Sequence, residues 1–119
     1  MPTPSLPYML KGATYQNPRM NVPLTGKAIG DFAKSVWKVY PDLSLEIITR
    51  GDTGKGLVAS QLILRGTHTG PYFDGSPPTG RTVAYPLATF VQIEGDKIRS
   101  EHVYFDLQTI ADQLGHKPK

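Results

Sequence analysis

Ile29, Phe32, Ala33, Val36, Trp37 and Tyr40 recur at the spacing of one face of an α-helix, and this stripe constrains the chain more than any other feature. A helix over residues 25–40 has an apolar side that another element must cover. Thr25 is the expected N-cap, and Pro41 stops the helix. The covering element lies downstream. Residues 45–49, 57–65, 81–94 and 97–105 are rich in β-branched, aromatic and aliphatic side chains, and Gly, Asp or Pro bounds each run. They read as four antiparallel strands. Gly95-Asp96 suits a two-residue hairpin, and residues 53–56 suit a looser glycine turn rather than a phosphate loop, which needs Ser or Thr after Lys55. One short strand is expected near residues 13–16. Asp106 can cap a last helix carrying Leu107, Ile110, Ala111 and Leu114 on one stripe, with Gly115 to end it.

This order predicts an α+β domain in which a curved antiparallel sheet wraps around helices and can enclose an internal pocket. With 119 residues, the chain fits a single domain, 1–119, with residues 1–12 and 116–119 irregular. There are no cysteines, so neither disulfides nor thiolate metal sites hold the fold. The first residues show no basic segment followed by an apolar one, and no window approaches the roughly 20 apolar residues of a membrane span. A soluble, cytoplasmic protein without a membrane partner is the expectation. The net charge of +3 comes from 13 Lys and Arg scattered without a run, which reads as a solvated surface and not a nucleic-acid footprint.

Polar chemistry is confined to few places. Val58, Ser60, Leu62, Leu64 and His68 share strand parity, which turns His68 toward the interior. If Gly95-Asp96 is a two-residue turn, Glu94 faces Lys97, and the ladder pairs Val91 with Ser100, Thr89 with His102, Leu87 with Tyr104 and Tyr85 with Asp106. His68 and His102 are then the candidate acid-base groups. Tyr15, Trp37, Leu62, Tyr85, Leu87, Thr89 and Tyr104 are the candidate ligand-binding residues around them. The bland alternative makes His68 a satisfied core residue, Tyr104 a core residue with a wet hydroxyl, and His102 a surface group. Three histidines without zinc spacing, and no serine in a nucleophile elbow, give no metal site and no serine-hydrolase machinery.

Tyr15-Gln16-Asn17-Pro18, the helix ending Trp37-Lys38-Val39-Tyr40-Pro41-Asp42-Leu43, the run Arg65 to Gly70, Pro77 to Arg81, and the ending Tyr104-Phe105-Asp106-Leu107 with Gln113-Leu114-Gly115 occur in this order. Together they resemble the SnoaL-like polyketide cyclase family over nearly the whole chain. The resemblance implies the cone-shaped, cystatin-like α+β domain shared with ketosteroid isomerase, scytalone dehydratase and nuclear transport factor two. It also implies a homodimer or homotetramer formed through the outer sheet face, and ring closure by side-chain acid-base chemistry with no metal or organic cofactor. Two departures stand out. The cyclases' acid-base aspartate and companion histidine would fall around Val103 and Thr89, neither of which can do that work. Family members also begin with a long helix over the pocket, so here residues 1–12 would fold as a flap or a partner subunit would close the mouth.

The expected function is binding of a small hydrophobic ligand, with cofactor-independent cyclase, isomerase or dehydratase chemistry on a carbonyl compound. The rival is a non-catalytic ligand-binding or oligomerisation module of the same fold.

Overall fold

The computed structural model describes residues 9–115. The elements follow as β1 (Met9–Gln16), β2 (Leu24–Thr25), α1 (Lys27–Val39), β3 (Ser44–Asp52), β4 (Leu57–Thr67), β5 (Thr82–Glu94), β6 (Lys97–Tyr104) and α2 (Leu107–Leu114). One six-stranded sheet has the order β2-β1-β6-β5-β4-β3. The α+β class and the four long strands match the sequence reading closely.

The sheet is mixed, not antiparallel throughout. β1 lies parallel to β6, with Tyr15 beside Glu101 and Gln16 beside His102. It begins at Met9, which pairs with Ile98, so residues 9–12 belong to a strand where irregular chain was expected. Their pattern hid it because the register shifts between Met9 and Thr14, where Gly12 takes a positive φ of 81°. The expected irregular segments 1–8 and 116–119 lie outside the described residues.

Thr25 does not cap α1. It pairs with Thr14 as part of β2, so its backbone is committed to the sheet, and the helix enters instead through Gly26 at φ 59° with no side-chain cap. The other helix signals hold. Asp106 accepts from the Gln108 backbone N–H, and Gly115 closes α2 in the left-handed conformation.

The core lies where both helices reach the sheet. Val39 and Tyr40 from the end of α1 and Ile110 and Leu114 from α2 pack against Leu62 and Leu64 of β4, Val83, Tyr85 and Leu87 of β5, and Val103 of β6. α2 is anchored to β5 by Gln113, whose amide exchanges two hydrogen bonds with the Ala84 backbone at 2.8 Å each. Two buried glycines allow α1 to approach β4. A Cβ at Gly66 would sit 2.8 Å from the Cβ of Tyr40, and one at Gly70 would overlap the Lys38 carbonyl oxygen.

One hairpin detail redirects the expected site. The β5–β6 ladder starts as predicted with Glu94 opposite Lys97 and Ile93 opposite Ile98, but Gln92 then faces Ser100. Arg99 is the extra residue of a β-bulge, and beyond it every pairing differs from the predicted one. Thr89 faces Val103, Phe90 faces His102 and Ala88 faces Tyr104.

Candidate functional site

Strand parity and burial together define the two faces of the sheet. Leu62, Leu64, Val83, Tyr85, Leu87 and Val103 are buried on the core face, and Thr89, Glu101 and Tyr15 join that face through their register with Val103 and with each other. His102 and Tyr104 belong to the opposite face. Tyr104 is 56% exposed, and its ring meets Phe90 edge-on at 5.8 Å. The expected juxtaposition of His102 and Tyr104 with His68 is therefore not formed, because the bulge at Arg99 reverses their parity. Leu62, Tyr85, Leu87, Thr89 and Tyr15 do face the core side, whereas Trp37 is half-buried on α1.

His68 extends β4 into the interior, where it is 0% exposed. Its backbone is clamped on both sides, with its N–H donating to the Arg81 carbonyl and its carbonyl accepting from Gly80, both at 2.9 Å. The loop between these residues folds back onto the end of α1. Gly70 N–H donates to the Val39 carbonyl, and Thr67 donates from both its amide and its hydroxyl to the Asp42 carboxylate at 2.7 Å. These bonds hold the Asp42 carboxyl below the usual range. On the side chain, Thr79 N–H donates to His68 Nδ1 at 3.2 Å, and the Thr79 hydroxyl lies 3.0 Å from the same nitrogen. Nδ1 thus acts as an acceptor, which assigns the proton of the neutral ring to Nε2. Tyr40 and Tyr72 meet the imidazole edge-on at 6.3 and 5.6 Å.

A second polar side chain enters from the turn after β1. Asn17, buried, accepts from Arg19 N–H at 2.8 Å through Oδ1 and donates to the Tyr15 hydroxyl at 3.3 Å. This Asx turn sends the Arg19 side chain back over the core. Arg19 Nη2 donates to the Tyr72 hydroxyl at 2.7 Å. Its guanidinium carbon lies 4.5 Å from the centre of the Phe73 ring, 5.3 Å from Tyr72 and 5.5 Å from Phe105. Phe32 of α1 closes the group, stacking on Phe73 at 6.0 Å and tilting against Tyr15 at 5.7 Å.

Electrostatically, this is a set of protonated phenols around one cation. Burial pushes Tyr15 up to about 12; the Asn17 hydrogen bond opposes the shift and the Glu101 charge adds to it. Burial, with the neighbouring Tyr72, pushes Tyr40 to about 12 as well, against the pull of Arg19. Tyr85 is raised for the same first reason. All three are therefore hydrogen-bond donors at neutral pH and not bases.

Asn17, Arg19, Tyr40, Tyr72 and Glu101 join the site without having been singled out individually. Asn17 lies within the Tyr15 motif and Tyr40 on the helical stripe, so both were visible as pattern. Arg19 had no periodicity to mark it, and Glu101 was hidden by the bulge. Two surface hollows, of about 280 Å³ beside Leu10, Ala13 and Ile29 and about 440 Å³ beside Arg50 and Ser60, lie elsewhere and contain none of the predicted site residues. No helix among the described residues is long and apolar enough to cross a membrane.

The sequence profile of the SnoaL-like polyketide cyclases matches residues 10–114. No curated protein matches the chain. Among solved structures, a candidate SnoaL-like polyketide cyclase from Jannaschia sp. CCS1 superposes with a TM-score of 0.82 at 23% identity, covering 94% of this chain and 76% of the other. AclR, a candidate hydroxylase from Streptomyces galilaeus, gives 0.81 at 18% identity, covering 96% and 73%. A protein of ketosteroid isomerase-like fold from Catenulispora acidiphila, in complex with trimethylamine, gives 0.77 at 19% identity, covering 93% and 79%. At these identities the likeness is one of fold.

Proposed function

Because the chain belongs to the SnoaL-like polyketide cyclase family, we propose that it binds a small hydrophobic carbonyl compound on the core face of its sheet and acts on it by cofactor-independent acid-base chemistry. The observation that carries this reading is the convergence of His68, Tyr72, Arg19 and Tyr15 from separate segments into one aromatic-lined cluster. Burying polar side chains carries a desolvation cost that an aliphatic core would not incur. A solved structure of the same fold holding a small amine adds support.

The roles follow from protonation state. Phenols that stay protonated to about pH 12 donate to a carbonyl oxygen and to the enolate that replaces it. Thr89 and Val103, opposite one another on the core face, carry no group that exchanges a proton at neutral pH. Glu101, two residues before Val103 on that face, is the carboxylate positioned to take an α-proton as the enolate forms. Returning that proton to another carbon completes an isomerisation. Attack of the enolate carbon on a second carbonyl, with the proton passing to the new alkoxide, closes a ring. His68, locked by Thr79, is a fixed donor in this scheme. His102 has no part in it.

The rival reading, a non-catalytic assembly module, draws on β3, where Leu45, Ile47 and Ile48 are exposed, and would make the chain a homodimer or homotetramer. One experiment separates the two. Polyketide-like and steroid-like ketones are screened by thermal shift and turnover, with sedimentation of the same samples. Ligand stabilisation with turnover lost on Glu101→Gln supports the first reading, and unchanged kcat/KM in that variant removes Glu101. An unchanged kcat/KM in His68→Ala removes His68 likewise. Oligomers indifferent to every compound support the second reading.

A further inference from the structure

We infer that Arg19 makes this cluster selective for ligands carrying an acidic oxygen, a carboxylate, phenolate or stabilised enolate, on an otherwise apolar ring compound. The inference rests on the small-molecule reading above and adds the charge of the ligand to it.

Three observations support it. First, Arg19 is a half-buried cation whose charge has no carboxylate counterpart: among the described residues, no Asp or Glu comes within ion-pair distance of it. Even Glu101, paired in register with Tyr15 on the same face, does not. Second, donors outnumber acceptors. A guanidinium has five N–H groups, and the Tyr72 hydroxyl accepts from one. Beside the His68 ring, the Tyr40 hydroxyl is fully buried with no hydrogen-bond partner among the described residues. An unmade bond at such a place is costly, and a ligand oxygen would supply the missing acceptor. Third, the surroundings are aromatic. The faces of Phe73, Tyr72 and Phe105 partly offset the cation, and such a lining favours a flat apolar body attached to the acidic oxygen.

A purely structural Arg19 would be satisfied by those rings and by water, and would not care about ligand charge. Calorimetric titration of the protein with a naphthoate and with the corresponding naphthamide, which share shape but differ in charge, separates the two cases. The carboxylate should bind about 10- to 100-fold more tightly, the worth of a charge-assisted hydrogen bond. Arg19→Gln should weaken the carboxylate far more than the amide, so that the preference falls away, and Arg19→Lys should restore part of it. Should Arg19→Gln fail to fold, the wild-type protein still decides: added salt should weaken the carboxylate and not the amide. Equal binding of the two compounds overturns the inference and leaves the small-molecule reading standing. Binding of neither overturns both.

Discussion

Leu64 and Leu45 face each other across β3 and β4, on the same side of the sheet, yet one is 6% exposed and the other 54%. The next inward pair repeats the contrast, with Leu62 at 6% and Ile47 at 51%. Strand pattern treats these residues alike. The difference is what lies above them. The end of α1 and α2 cover the β4–β5 part of the face, whereas all nine residues of β3 remain exposed. Burial here is conferred by the covering layer and not by strand membership. Tyr40 and His68 sit under that cover, 1% and 0% exposed.

The strongest way to break this contrast is steric. Gly70→Ala places a methyl group onto the Lys38 carbonyl where the loop docks on α1, and Gly51→Ala adds one on β3 with nothing within 4 Å. The first should cost about 4 kcal/mol or more and the second less than about 0.5 kcal/mol, read as urea midpoints. Comparable losses would show that the loop is not held as described. Next, Leu64→Ala should cost about 3 kcal/mol and Leu45→Ala less than about 1 kcal/mol. If Leu45 proved as costly as Leu64, something would cover β3 in solution, which is what an oligomer through that strand requires.

A smaller effect follows from protonation. Tyr40 holds its proton to about pH 12 in the fold against 10.0 for the free group. Between those values the native state binds more protons than the unfolded chain, so stability is intact below about pH 10 and falls as pH rises toward about 12. A two-unit shift corresponds to roughly 2–3 kcal/mol. Denaturant midpoints measured from pH 8 upward should fall over this window, and less steeply in Tyr40→Phe. A flat profile would mean that Tyr40 titrates in the fold as it does in the unfolded chain.

Much of the fold was legible because it depends on local pattern. The helical stripe, the β runs, the Asp106 cap and the Gly115 stop are properties of neighbouring residues, and each appears where the spacing puts it. Parity also placed His68 correctly, since β4 runs without a bulge from Leu57 to Thr67. The site was only half legible. A single extra residue, Arg99, sends His102 and Tyr104 to the outer face and brings Glu101 to the inner one, and no glycine or proline there announces it. Arg19 lies in a loop, where periodicity is silent.

What this chain's sequence determined by itself is therefore the inventory of elements, their amphipathic faces and a family resemblance carried by motifs in order. These are encoded at separations of a few residues. Only the tertiary structure decided that β1 joins β6 in parallel, that Thr25 pairs instead of capping, and which part of one sheet face is covered. It also decided that the Arg19 guanidinium meets Tyr72, and that Tyr72 and Tyr40 meet the clamped His68 imidazole. Such outcomes depend on which distant segments meet, and that choice is settled by packing the whole chain at once.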